Sequence, residues 1–312
     1  MTKHGISTAQ RNNPSARLSL RHRGEDMLAG FLLSATRLLP YRWRIPAFGW
    51  LGAHVIGPLA GMRQRVRRNL RLVAPDTPAN EVARLARTVP GNLARTLAEI
   101  FSGDAFIAHV RNSPIEGDGL SELQAAHDAG RPVVVVTAHL GNYDAVRVML
   151  RERGFDLMGF YMPMQNPAFN RRYVSAMTHI GPVAPRDRAG IAELVKHLRK
   201  GGMIGLVADH YMSRGELIDF MGQPARTSTA SAEMALKYDA LLVPVYGIRQ
   251  PDGLSFRIRI EAPVPHSDPL TMTHALNASL ETLVHAHMDQ WMWTHRRWKR
   301  NRPKKRGRAR QD

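Results

Sequence analysis

The sequence predicts an α/β fold with a largely parallel sheet flanked by helices, preceded by an N-terminal helical region suited to membrane association. Three observations carry this. PVVVVTA (132–138) is an uninterrupted apolar run, the pattern of a central parallel strand buried on both faces. From about residue 120 onward, such runs alternate with amphipathic helical stretches, as repeated βαβ units do. Two apolar segments occupy residues 27–62, upstream of that alternation.

The first 26 residues are polar, mildly basic and expected to be mobile; they lack the apolar core and cleavage site of a secretory signal. MLAGFLLSATRLLP (27–40) is apolar, and IPAFGWLGAHVIGPLAGM (45–62) runs 18 residues without Asp, Glu, Lys or Arg. That length is marginal for a membrane span, and two prolines, four glycines and His54 disfavour a lone spanning helix. Arg37, Arg42 and Arg44 lie between the segments, so an interfacial hairpin is expected, with Trp43 and Trp50 at headgroup level. The alternative is a pair of helices inside a soluble core. RQRVRRNLRL (63–72) is a basic helical run suited to an anionic surface. Thr77 is expected to be the N-cap of the next helix with Pro78 at its first position, and Pro90-Gly91 is expected to break or kink it.

The α/β part is assigned to residues 74–301. SELQAAHDAG is a helix closed at Gly130. NYDAVRVMLRERG is a helix stopped by Gly154, and FDLMGFYM is a strand. NPAFNRRYVSAM starts a helix with Asn166 as cap and Pro167 behind it. GIAELVKHLRKGG places Ile191, Leu194, Val195 and Leu198 on one face. MIGLVA is a third buried strand, TSTASAEMALKY a helix and ALLVPVYGI a fourth strand. SFRIRIE alternates, as an edge or antiparallel strand does, and 271–297 is expected to be the last helix. A basic tail, 302–312, follows.

Composition narrows the chemistry. The chain of 312 residues has no cysteine, which removes disulfides, thiolate metal sites and cysteine nucleophiles together. A formal net charge of +18 favours an anionic partner: a membrane surface, an acidic protein or substrate, or nucleic acid. Fifteen methionines imply a soft apolar interior or a lipid-facing surface. There is no Gly-x-Ser-x-Gly elbow, P-loop, dinucleotide fingerprint or His-Glu-x-x-His. His285 and His287 near Asp289 lie two apart, so they do not share a helical face; they read as surface histidines, and no metal or other cofactor is expected.

The chemistry concentrates where the valine run ends, in HLGNYD (139–144). In open α/β sheets, ligands bind beyond the carboxyl ends of the strands, and His139 is at such an end. Gly141 allows a tight turn and Asn142 is a candidate N-cap. Asp144 falls in the first helical turn, from which it can fold back onto the imidazole. A carboxylate on one ring nitrogen fixes the tautomer and leaves the other nitrogen as a general base. The competing reading is a capping aspartate beside an ordinary histidine. A base without its own nucleophile would activate a substrate group such as a hydroxyl. Backbone N–H groups opening the helix after Gly141 are candidate oxyanion donors.

HLGNYD resembles the His-x4-Asp/Glu motif of the glycerolipid acyltransferase superfamily. In order with FYMPMQNPAFN (160–170), RAGIAELVKHLRKGGMIGLVADH (188–210), FMGQPARTSTASAEMALKYDALLVPVY (220–246) and WMWTHRRWK (291–299), it resembles the late acyltransferases of lipid A biosynthesis over roughly 27–303. The resemblance implies an enzyme on the cytoplasmic face of the inner membrane. It would move a fatty acyl group from acyl carrier protein to a hydroxyl of a lipid A precursor, with no metal. His139 and Asp144 would be catalytic, and Gly141, Asn142, Arg171, Arg172, Arg188 and Asp209 would contact substrate. This chain carries Asp144 where lipid A members often carry Glu, which keeps a glycerolipid or other lyso-lipid acceptor as the alternative. It also carries Met162 where an arginine is common; Arg171, Arg172 and Arg188 are the nearest replacements. A basic nucleic-acid-binding protein is the competing class, but the basic residues form no known reading motif.

Overall fold

The computed structural model describes residue 30 and residues 39–299. The expectations for residues 1–26, most of 27–40 and the tail 302–312 lie outside the described residues.

Helix α1, Tyr41–Leu59, passes through a π-helical turn at Gly52–Ile56. α2 spans Met62–Val73 and α3 Ala79–Ile100. Pro78, not Thr77, caps α3, while the Thr77 hydroxyl donates to the Ala74 carbonyl closing α2. The helix does not break at Pro90-Gly91 but runs on through both residues. Both residues are buried inside α3 against α1. The contact is close enough to demand glycine: a Cβ on Gly52 would lie 2.4 Å from the Ala94 Cβ and 2.6 Å from the Pro90 carbonyl oxygen. Tertiary packing here outweighs the local breaker signal.

α4 (Asp104–Val110), β1 (Ile115–Glu116) and α5 (Leu120–Asp128) lead into the central strand β2, Val133–Thr137. Then follow α6 (Tyr143–Glu152), β3 (Leu157–Tyr161), α7 (Pro167–Ile180), β4 (Val183–Pro185), α8 (Arg188–Leu198) and β5 (Met203–Val207). A two-stranded hairpin, β6 (Glu216–Phe220) and β7 (Gln223–Thr227), precedes α9 (Ala230–Lys237), β8 (Leu241–Arg249), β9 (Phe256–Ile260) and α10 (Pro269–Ala286). The seven-stranded sheet has the order β1-β9-β8-β2-β5-β3-β4 and is parallel except between β8 and β9. β2 is central, paired with β5 on one side and β8 on the other.

The valine run explains the layering. Successive strand side chains point to opposite faces. Val133 and Val135 join the core formed with α4, α6 and α7, whereas Val134 and Val136 join the one formed with α8, α9 and α10. A third cluster joins α2, α3, the hairpin, α10, Trp291 and Trp293.

Short α4, β1 and β4 were not predicted, and two larger departures bear on the site. The β6–β7 hairpin was not foreseen; it turns at Met221-Gly222, both at positive φ, with Pro224 in its second strand. The last helix ends at Ala286 rather than 297, and the chain then returns across the end of β2, pairing Leu140 with Trp291. Among the described residues no single helix is long and apolar enough to cross a membrane. α1 and α2 together pass by length and composition, bent by 84°.

Candidate active site

β2 and β5 are parallel with Thr137 opposite Val207, so residues two positions beyond each strand meet at the same edge. These are His139 and Asp209. The Asp209 carboxylate accepts from His139 Nδ1 at 2.7 Å and from the His139 backbone N–H at 3.0 Å. It also accepts from Trp291 Nε1 at 2.9 Å. Asp209 is 5% exposed. Burial alone would raise its pKa, but His139, His210 and the indole N–H outweigh it and hold the carboxyl far below the usual carboxylate range. The Nδ1 bond leaves Nε2 of His139 as the free nitrogen.

Asp144 does not make the hydrogen bond expected of it. Asn142 caps α6, accepting from the Asp144 and Ala145 backbone N–H groups. That starts the helix so that Asp144 faces Arg147 one turn on, at 2.7 Å. Arg147 also donates to the carbonyls of Met177 and Gly181, tying α6 to α7. Burial raises the Asp144 pKa against the attraction of Arg147 and His139. Its second oxygen, Oδ2, has no partner among the described residues.

Gly141 and Asn142 build the turn and do not line the cavity below His139. Gly141 has φ +59, and a Cβ there would lie 2.0 Å from the Gly247 carbonyl oxygen. Asn142 is fully buried and donates to Glu99 at 2.7 Å, and Glu99 is in turn ion-paired with buried Arg249. Arg171, Arg172 and Arg188 are exposed, on α7 and α8, and do not line the cavity either. The arginines that do are Arg147 and Arg186.

That cavity, of about 700 Å³, is lined by His139 and runs between the sheet and α6, α7, α8 and α9. Its wall is mostly apolar, including Leu157, Val183 and Leu206, and five methionines: Met162, Met164, Met177, Met212 and Met234. Unbranched, polarisable methionine suits a flexible hydrocarbon occupant. Tyr143 and Tyr173 share a hydroxyl contact at 3.2 Å in the same wall; burial pushes the Tyr173 phenol up to about 12 and Tyr143 well above its ordinary value.

His210 stacks on His139 with ring centroids 4.1 Å apart and planes within 5°. His295 stacks on His210 at 4.0 Å and 8°. Burial lowers His210 to about 3 and His295 to about 4. His139, Asp209 and His210 each bring a donor atom within 4.8 Å of the others. Stacked rings, however, aim their in-plane lone pairs along separate parallel planes, and both oxygens of Asp209 are bonded already, so the cluster is organised for hydrogen bonding. His210, His295 and Trp291 were not singled out from the sequence. The signal that could have found the His139–Asp209 pair was the matching position of the two residues after adjacent buried strands.

The model of the family described as bacterial lipid A biosynthesis acyltransferase matches residues 14–300. The chain belongs to that family. Among curated relatives, a phosphatidylinositol mannoside acyltransferase of Mycolicibacterium smegmatis is 26% identical over 76% of this chain and 80% of its own length. A lipid A biosynthesis acyltransferase of Haemophilus influenzae is 22% identical over 84% of each. The lipid A biosynthesis lauroyltransferase of Escherichia coli K12 is 26% identical over 75% of this chain and 78% of its own length. Membership makes this chain an acyltransferase, and it gives the apolar cavity ending on an aspartate-held histidine a chemical context.

Proposed function

We propose that this acyltransferase moves a fatty acyl group from acyl carrier protein to a hydroxyl of a lipid A precursor, at the cytoplasmic face of the inner membrane, with His139 as general base. The observation that carries the reading is His139 in the wall of the apolar cavity, its Nδ1 fixed by Asp209 so that Nε2 is left for the substrate. The acyl chain lies in the cavity and the thioester carbonyl at its mouth. Nε2 takes the acceptor hydroxyl proton, and the oxygen attacks the carbonyl carbon. The tetrahedral intermediate collapses, the C–S bond breaks, and the thiolate takes the proton back from the imidazolium. Asp209 stabilises that imidazolium and keeps the productive tautomer. Asp144 supports the site from one layer behind, through Arg147. The net charge of +18 suits an acidic carrier protein and an anionic bilayer. Exposed Trp43, Trp50 and Leu59 on α1 supply an apolar face for the bilayer.

A second acceptor, a glycolipid or lyso-lipid, is supported by the mannoside acyltransferase relative, whose 26% identity equals that of the lauroyltransferase. The test incubates purified protein with acyl carrier protein charged with defined fatty acids, and separately with the matching coenzyme A thioesters. Acceptors are an under-acylated lipid A precursor, a lysophospholipid and a phosphatidylinositol mannoside, with products read by mass spectrometry. Carrier-dependent acylation of the lipid A precursor is expected. Transfer only to another acceptor, or only from coenzyme A, would replace the corresponding half of the proposal.

A further inference from the structure

Thioester attack places a negative charge on the carbonyl oxygen, and a buried site must meet it with hydrogen-bond donors. Four of the backbone groups around the turn are occupied. The Gly141 N–H donates to the Gln290 carbonyl and the Asn142 N–H to the Gly247 carbonyl. Those of Asp144 and Ala145 donate to the Asn142 side chain. Among the cavity's arginines, Arg147 is one turn down α6 and held by Asp144 and two carbonyls, while Arg186 lies against the Met212 sulfur at 3.1 Å.

His210 is different. Its ring lines the same cavity as His139, parallel to it at 4.1 Å. Its Nε2 is enclosed and has no partner among the described residues, so the cluster contains a ring with hydrogen-bonding capacity to spare. His295 closes the far face of the ring, and its own Nε2 accepts the Tyr211 backbone N–H at 3.0 Å, which fixes that buttress in one tautomer. A ring held between two others keeps its plane, as a preorganised donor requires.

We propose that His210 is a catalytic residue of the acyl transfer, donating a ring N–H to the oxyanion of the tetrahedral intermediate. This rests on the acyl-transfer reading above. The geometry suits the step. The attacking oxygen lies about 2.6–3.2 Å from the base, and an oxyanion needs donors at about 2.7–3.1 Å. A ring stacked 4.1 Å from the base ring, in the wall of the same cavity, is close enough to serve a carbonyl held beside that base. When the acceptor O–H bond breaks, its proton moves to His139 Nε2. The new C–O bond forms, and the carbonyl electron pair moves onto the oxygen facing His210. On collapse that pair returns, the C–S bond breaks and the thiolate recovers the proton. His210 keeps its own proton throughout. Burial and the neighbouring His139 keep its ring neutral at working pH, so it serves as a donor and does not compete as a second base.

Two substitutions separate donation from ring stacking. His210→Phe keeps a flat ring against His139 and removes the N–H; His210→Gln removes the ring and keeps an N–H. Both are assayed in the full-length protein with acyl carrier thioester and the acceptor that wild type uses, after thermal melts show both variants folded. Loss of one oxyanion donor slows turnover about 10²–10³-fold in comparable sites. His210→Phe is therefore expected to lose about that much turnover with KM within a few-fold, and His210→Gln to turn over at least ten times faster than His210→Phe. Equal turnover in the two, or faster turnover in His210→Phe, overturns the assignment and leaves a stacking role. If neither variant folds, His210→Asn and His210→Leu make the same comparison on smaller side chains. A wild-type protein that transfers no acyl group from any thioester overturns the acyl-transfer reading and this assignment together. A wild type that transfers, with variants ranked the other way, overturns this one alone.

Discussion

Two buried aspartates flank His139, one at the start of α6 and one at the end of β5, and they hold different partners. Asp144 is five residues from His139 in sequence and pairs with Arg147; Asp209 is seventy residues away and holds the imidazole. Their pKa values move in opposite directions for the same reason seen from two sides. Burial dominates at Asp144 and raises it, whereas at Asp209 the imidazoles and the Trp291 N–H outweigh burial and lower it. The difference shows that register between parallel strands decides which acid meets a histidine, because the cap on α6 has already committed Asp144 to its own helix.

The largest expected effect comes from removing the base that both acids surround. His139→Ala should slow turnover about 10²–10⁴-fold in a protein that still folds, with some stability lost because buried Asp209 gives up its partner. Near-wild-type turnover in a folded variant ends the general-base mechanism.

The comparison itself is tested by asparagine at each acid. Asp209→Asn keeps the shape of the side chain but lets the amide reverse the imidazole tautomer, an effect that costs about 10⁴ in a comparable triad. Turnover is expected to slow about 10²–10⁴-fold here, with stability changed far less. Asp144→Asn should do the reverse, leaving Arg147 as a buried, uncompensated charge at a cost of about 3–5 kcal/mol of stability. Chemical unfolding measures that loss, and Arg147→Met in the same chain should recover most of it. If Asp144→Asn slowed turnover more than Asp209→Asn without losing stability, the roles of the two acids would be exchanged.

A smaller effect appears in the dependence of stability on pH. His210 and His295 have folded values of about 3 and 4, below the ordinary histidine value near 6.5. Between these values the unfolded chain binds protons that the folded chain refuses, so stability falls as pH drops from about 6.5 toward 4. Asp209, also depressed, contributes stability that is complete above about 3.9 and is lost only below that. Asp144, raised, works in the opposite sense just above 3.9. Urea midpoints measured from pH 7.5 to 4.5 should therefore slope less in His295→Phe than in wild type. Equal slopes would show that the stacked rings are not held neutral.

Much of this architecture was legible in the sequence. The apolar runs gave the strands, the Asn142 and Asn166 caps gave two helix starts, and the alternation in 255–261 gave the antiparallel β9. Three features were not, for separate reasons. Pro90-Gly91 carries a strong local breaker signal that packing against Gly52 overrides. The hairpin turns through Met221-Gly222 without the usual Asn-Gly signature. The chain after Ala286 kept an apolar, aromatic pattern that suggested more helix, yet Trp291 and Trp293 are buried around the site instead. The site was half legible: His139 was found by its place after β2, while Asp209, expected from the resemblance to contact substrate, instead holds His139, a role that required knowing that β5 is the neighbour of β2.

The smallest expected effect on chemistry concerns α1, whose two faces contrast as the two aspartates do. One face is closed on α3 by Ile45, Phe48 and Gly52; the other exposes Trp43 at 61%, Trp50 at 60% and Leu59 at 85%. If the exposed face docks on a bilayer, the protein should sediment with membranes and be released by detergent and not by salt. Burying a large apolar side chain is worth about 1.5–3 kcal/mol when complete, so half-burial of two tryptophans supports a loss of tenfold or more in vesicle binding for Trp43→Ala with Trp50→Ala. Turnover on a dispersed, soluble acceptor should stay within about twofold, because no part of that face touches the transition state. The apparent KM for a membrane-borne acceptor should rise with the loss of binding. Cutting the chain after Asn301 offers the electrostatic counterpart: it removes positive charge without touching α1, each charge being worth about 1 kcal/mol near an anionic surface. Its effect should fade as salt is raised, while that of the tryptophan pair should persist. Release of the intact protein by salt alone would mean that charge holds it to the membrane and that the apolar face of α1 plays no part.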